Sequence, residues 1–174
     1  MEIFLKKWSN SDKEGLISLC NSVNRDYLSD RLPVPYLDND AKRWLNMVAQ
    51  CEGKEGVFRA IVVNKQIVGS ISVKCKTDVY RIDAELGYML QTEWWNRGIV
   101  TEAVKKICEM AFQELDIKRI TAKIFQPHIA SQRVLQKNGF LHEGTLQSAV
   151  LKNGRIYGLS IYGLLNYCKY GQTK

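Results

Sequence analysis

Residues 81–90, RIDAELGYML, alternate in character, and a helical repeat follows them from Ile99 onward. The alternation sets Ile82, Ala84, Leu86, Tyr88 and Leu90 on one face of a strand. Asp83, Glu85, Gly87 and Met89 fall on the other. In IVTEAVKKICEMAFQEL, Val100, Ala103, Val104, Ile107, Ala111 and Leu115 line one side of a helix. A half-apolar strand running into an amphipathic helix constrains the fold strongly: it requires a sheet with a helix laid across it.

The remaining periodicities extend that layer. Residues 2–8 read as a first strand. Leu16, Leu19, Cys20 and Val23 recur at helical spacing behind a polar, capping-competent start. RLPVPYLDND is a loop restricted by Pro33 and Pro35, and Ala41, Trp44, Leu45 and Val48 then share a helical face. VFRAIVV and QIVGSISVKC read as strands joined at Asn64-Lys65. KRITAKIF is a further strand, and ASQRVLQKNG a helix ended by Asn138-Gly139. Two last strands flank Lys152-Asn153-Gly154-Arg155, a hairpin signal. The order predicts an α/β fold, a mixed sheet with helices on both faces. With no repeat or linker in view, residues 1–174 are expected to form a single domain.

Composition narrows the function. No apolar run approaches the roughly 18 residues that a membrane span needs. The start, MEIFLKKWSNSDKEG, lacks a signal peptide's order, so a cytoplasmic location is expected. Cys20, Cys51, Cys75, Cys108 and Cys168 are scattered and never form a C-x-x-C pair, which points to buried, reduced thiols. With only His128 and His142 besides, no metal site is expected. Residues 1–90 carry 13 basic and 12 acidic side chains, leaving 12 basic and 6 acidic in residues 91–174. A basic C-terminal half suits an anionic partner, nucleic acid or a phosphorylated small molecule, although a solvated basic surface has the same composition.

EWWNRGIVTEAVKK, residues 93–106, sharpens that choice. The orphan amide hydrogens at the helix start, the positive end of its dipole and Arg97 together make a place for phosphate. Gly98 lets a ligand approach the backbone, and Thr101 adds a hydroxyl. The competing reading is a tight strand-to-helix turn whose tryptophans are core.

The element order and the run AELGYMLQTEWWNRGIVTEAVKKI resemble the GNAT superfamily of acyl-CoA-dependent N-acyltransferases, and most of all its RimJ/RimL branch of ribosomal-protein N-terminal acetyltransferases. The likeness extends from PYLDNDAKRWL through HIASQRVLQKNGFLHEGTL to the terminal hairpin. The family's pyrophosphate pattern, Q/R-x-x-G-x-G/A, falls on Trp95, Asn96, Arg97, Gly98, Ile99 and Val100. The resemblance implies a mostly antiparallel sheet with a splayed central strand pair and acetyl-CoA as co-substrate. By the same likeness Met89, Leu90 and Gln91 bond the pantetheine arm through their backbone. Arg97, Gly98, Ile99, Val100 and Thr101 hold the diphosphate.

Moving an acetyl group from a thioester to a primary amine needs a neutral amine, a stabilised oxyanion and a proton for the thiolate. Glu85 is the base candidate, because family members often use a strand glutamate there; the bland reading is a solvated or salt-bridged carboxylate. Ser131 matches the family serine and is the candidate proton donor, or else a cap of its helix. His128 stands where the family has asparagine and is assigned to the cofactor, a surface or capping role being the alternative. Leu135 occupies the position of the family's tyrosine acid, which the RimJ/RimL branch commonly lacks. Tyr36, Trp44 and the PVPYL loop fall where the fold builds its acceptor cleft.

The function expected is acetyl-CoA-dependent N-acetylation of a protein N-terminus or small-molecule amine. Two alternatives stand beside it: an acyl-CoA-binding sensor module, and a basic RNA- or ribosome-binding protein. The last lacks helix-turn-helix and RNP signals, so nucleic acid is not an expected partner. The terminal hairpin could pair across a homodimer.

Overall fold

Asn64 and Lys65 adopt left-handed backbone, φ 50° and 67°, and so do Asn153 and Gly154, φ 49° and 73°. That conformation closes two-residue turns whose twist matches the flanking strands. In the computed structural model, which describes residues 2–166, these turns join β2 (Gly56–Val63) to β3 (Gln66–Cys75) and β6 (Leu141–Lys152) to β7 (Arg155–Leu165). The other elements are β1 (Ile3–Lys7), α1 (Lys13–Ser22), α2 (Asp38–Cys51), β4 (Asp83–Leu90), α3 (Ile99–Glu114), β5 (Arg119–Phe125) and α4 (Ile129–Lys137). Their order matches the sequence reading element for element. The strands form one sheet, β1-β2-β3-β4-β5-β7-β6, antiparallel except between β4 and β5.

The larger core lies between the sheet and α3 and α4. Ile99, Ala103, Val104, Ile107 and Ala111 of α3 pack there on Ile61, Ile71, Ala84, Leu86 and Ile120. Burying each aliphatic side chain of that size contributes about 1.5–3 kcal/mol. On the opposite face Leu16, Cys20, Tyr36, Ala41 and Leu45 form a smaller cluster beneath α1 and α2, with Met89 against it. β4 thus contributes Ala84, Leu86 and Leu90 to the larger core and only Met89 to the smaller cluster.

Two expectations need correcting. Asp83 is buried and Ile82 is 45% exposed, the reverse of the alternation reading. The strand begins at Asp83, where β3 and β5 flank it, and the carboxylate is held by partners. Thr121 Oγ1 lies 2.8 and 2.9 Å from its two oxygens, and Lys76 and Arg119 pair with it. The cysteines are not uniformly buried either: Cys20 and Cys108 are, whereas Cys51 and Cys75 are half-buried. Cys168 lies outside the described residues.

The parallel seam positions the site. β4 and β5 pair only from Asp83↔Arg119 to Leu86↔Ala122. Beyond that point β4 continues beside β3 as far as Leu90↔Gly69, and β5 beside β7 as far as Phe125↔Leu159. The two strands thus splay, as the resemblance implied. Among the described residues, no helix is long and apolar enough to cross a membrane.

Candidate active site

The splay opens onto a cleft of about 350 Å³, whose wall includes every residue from Trp94 to Thr101. Asn96 and Gly98 are both left-handed, φ 58° and 76°, and turn the chain sharply into α3. A Cβ added at Gly98 would meet no atom within 4 Å, so the backbone there faces open space. Glu102 N–H donates to Gly98 O at 3.1 Å. The amides before it, from Ile99 to Thr101, are the orphan donors of the helix end.

The tryptophans divide the work of that turn. Trp94 packs against the core and carries the Arg97 guanidinium 5.1 Å from its ring centroid. Such a cation–π contact orients the charge without neutralising it. Trp95 is not core: it is 39% exposed, and its Nε1 donates to Leu90 O at 2.9 Å, tying the turn back to the strand end.

Opposite Arg97, Arg133 and Lys137 of α4 also line the cleft, one helical turn apart. Asn138 Nδ2 donates to Thr101 O at 3.1 Å and fixes the end of α4 to the start of α3. The sequence reading missed both cations. Their four-residue spacing and the basic excess of the C-terminal half were the available signals.

On the strand side, Met89 and Leu90 line the cleft and Gln91 does not. Gln91 N–H donates to Val68 O at 2.9 Å, and Gln91 Nε2 donates to Ser22 Oγ at 2.8 Å. An antiparallel ladder alternates its bonding direction, so Met89, two residues earlier, turns its backbone toward β3 as well. The backbone groups of Tyr88 and Leu90 are the ones directed into the splay. The Met89 and Gln91 backbones are thus engaged with β3, and Leu90 O also accepts from Trp95 Nε1.

His128 and Ser131 meet at the inner end of the cleft. His128 Nε2 lies 3.3 Å from Ser131 Oγ, and the imidazole stacks on Tyr27 with ring centroids 4.4 Å apart. Burial holds the His128 pKa below its ordinary value, so the ring is neutral at pH 7. Tyr88 Oη donates to Ser131 O at 3.4 Å. Burial pushes its hydroxyl up to about 12, against a smaller lowering by that bond, and Tyr88 stays a proton carrier at neutral pH. Leu135 is fully buried in the core and does not line the cleft.

A second cleft, of about 610 Å³, lies on the α1–α2 side of β4. Tyr36, Trp44 and Pro33, which the sequence reading grouped together, all line it. The two clefts share Leu28, Tyr88 and Met89, so they meet through β4. Arg25 sets the dividing loop: its guanidinium donates to Leu32 O, Cys20 O and Pro33 O at 2.8, 2.7 and 3.0 Å. Glu85 lines neither cleft. It is 44% exposed and pairs with Lys123 at 2.9 Å, the salt-bridged arrangement weighed above. Gly87, on the same strand face, separates it from the second cleft and lies 4.0 Å or more from any atom an added Cβ would meet.

Residues 2–141 match the family described as the acetyltransferase (GNAT) domain. The chain belongs to the GNAT family. Among curated relatives, the uncharacterized N-acetyltransferase YoaA of Bacillus subtilis is 33% identical over 101 residues, which are 58% of this chain and 56% of that one. The ribosomal-protein-serine acetyltransferase of Escherichia coli is 26% identical over 144 residues, 80% of this chain and 79% of that one. Among solved structures, the RimL ribosomal L7/L12 alpha-N-protein acetyltransferase in complex with coenzyme A superposes with a TM-score of 0.81 at 18% identity. That alignment covers 94% of this chain and 93% of the other. At that identity the likeness is one of fold, and it places this GNAT chain's splayed strands in a shared architecture.

Proposed function

We propose that this GNAT chain transfers the acetyl group of acetyl-CoA to a primary amine, with the two clefts serving as donor and acceptor sites. The observation that carries the reading is the meeting of a cationic, backbone-lined cleft with an aromatic one at Tyr88 and Met89. The first cleft fits coenzyme A. Arg97, Arg133, Lys137 and the α3 amides suit its phosphates. The Tyr88 and Leu90 backbone groups suit the amides of its pantetheine arm, much as an added strand would pair with a sheet edge.

The amine enters from the second cleft and attacks the thioester carbonyl, forming the C–N bond. Collapse of the tetrahedral intermediate breaks the C–S bond and expels the thiolate. Ser131, beside neutral His128, relays a proton to that thiolate, its hydroxyl being refilled by the N–H proton that the intermediate sheds on forming the amide. Glu85 would receive the ammonium proton through solvent over Gly87 rather than by direct contact. An α-amine of pKa near 8 is about a tenth neutral at pH 7, and a lysine amine near 10.4 about one part in 2,500. With a base at that remove, an α-amine is the better acceptor, and a protein N-terminus or a small amino compound supplies one.

The test is a thiol-release assay with acetyl-CoA over a panel of peptides and small amines, alongside calorimetric titration of acetyl-CoA. Release of coenzyme A dependent on an α-amine is the expected result. Tight binding with no turnover across the panel would return the protein to an acyl-CoA-binding module, and absence of binding would end the reading.

A further inference from the structure

The charges of the second cleft say what its acceptor carries besides an amine, given the donor and acceptor assignment just made. Across both clefts the lining holds five cations, Arg31, Arg43, Arg97, Arg133 and Lys137, and one carboxylate, Asp40. That carboxylate is engaged. Asp40 Oδ1 accepts from Arg43 Nη2 at 3.0 Å, and Oδ2 accepts the Leu37 N–H at 3.0 Å, closing the start of α2. No other carboxylate lines either cleft to pair with a second ammonium group, so polyamines and other multiply cationic amines are poorly matched.

Arg31 stands differently. It is exposed at the cleft wall, and among the described residues no ion pair or side-chain hydrogen bond engages its guanidinium. The carboxylate next to it in sequence, Asp30, is turned to Lys152 at the tip of the β6–β7 hairpin. Lys152 is itself buried, so this pairing draws Asp30 away from Arg31. The loop that carries Arg31 is held from within by the three Arg25 bonds to Cys20, Leu32 and Pro33. A guanidinium left unpaired on a braced loop favours a planar anion. Beside it Leu32, Tyr36, Trp44 and Met47 offer an apolar and aromatic wall.

We infer that the acceptor is an α-amine compound bearing a carboxylate close to the amine and an apolar side chain, with Arg31 as the residue that selects the carboxylate. The carboxylate comes either from a free amino acid or from an acidic side chain beside a peptide's N-terminus.

Binding of acetylated products to the coenzyme A-loaded protein tests this without relying on turnover. The probes are N-acetyl-L-methionine against its amide, and N-acetylated methionyl peptide amides with Asp against Asn at the second position. Calorimetry should show about tenfold tighter binding of the acid in at least one pair, the lower end of what a charged hydrogen bond contributes. Arg31→Gln should bring that ratio close to one, and Arg31→Lys should keep part of it. Preference in the first pair identifies the amino acid as source, and preference in the second the peptide. Equal binding in both pairs, an unchanged ratio in Arg31→Gln, or tighter binding of N-acetylspermidine than of either acid overturns the inference. If these preferences hold while no amine is acetylated, the catalytic reading fails and the anion selection stands.

Discussion

The two clefts sit on opposite sides of one strand and are built from different materials. The first cleft is made of backbone: the start of α3, a left-handed glycine, and strand groups with no ladder partner beyond Leu86. Its side chains add charge of a single sign. The second cleft is made of side chains on an irregular segment between α1 and α2, held by Arg25 at its middle and by Asn21 at Tyr36. On the proposed function, the contrast assigns to the first cleft what any such ligand presents, phosphate and amide, and to the second what one particular ligand presents.

If that division is right, mutations on the two sides should separate cleanly. The largest effect belongs to Arg97→Glu, which sets an anion where phosphate is to bind. Acetyl-CoA affinity should fall about a hundredfold by calorimetry, on the order of 3 kcal/mol, while the melting temperature stays within a degree or two. Unchanged affinity would remove the phosphate assignment. Next comes Arg25→Gln, which strips three carbonyls of a charged donor. Acceptor KM should rise several-fold with the acetyl-CoA dissociation constant unaltered, at a stability cost of about 1–3 kcal/mol. A rise in both constants would show that the loop serves the two clefts together.

A smaller effect should appear with pH. Because burial lowers the His128 pKa in the folded protein, the unfolded chain takes up the proton first as pH falls below about 6.5. The stability that neutral His128 contributes is complete above that pH. It is lost on going down through the folded value, so thermal unfolding of the wild type should weaken more steeply between pH 7 and 5 than that of His128→Asn. Parallel profiles would place the ring in solvent. The smallest effect is expected of Lys123→Ala, since its pair with Glu85 is about 40% exposed on each side. Under about 0.5 kcal/mol of stability should be lost, and a larger change in kcat would mean that Lys123 tunes Glu85 for catalysis.

The same division governs what could be read beforehand. Periodicity and turn chemistry are local, so strand β4, helix α3 and the Asn153-Gly154 hairpin were visible in the chain. The Gly98 turn was visible for the same reason. Arg133 and Lys137 were not assigned to the cleft, because their place depends on how α4 docks, a tertiary fact carried by Asn138 and Thr101. Asp83 defeated the alternation reading because its partners come from β5 and from the residue after β3. Arg25 gave no sequence signal: three carbonyl partners spread over residues 20–33 leave no pattern in side-chain type. Gln91 was assigned by the resemblance, whereas in the ladder its N–H turns to Val68 O.

Four backbone register pairs, reinforced by side-chain contacts of Asp83 and Glu85, join β4 to β5, and the sheet is accordingly two panels, β1 to β4 and β5 to β7, meeting along a short hem. Arg97 rides on the first panel and Arg133 and Lys137 on the second. A polyanion gripped by all three would act as a clasp across the hem, so the molecule should resist being pulled or heated apart most strongly while its donor is aboard.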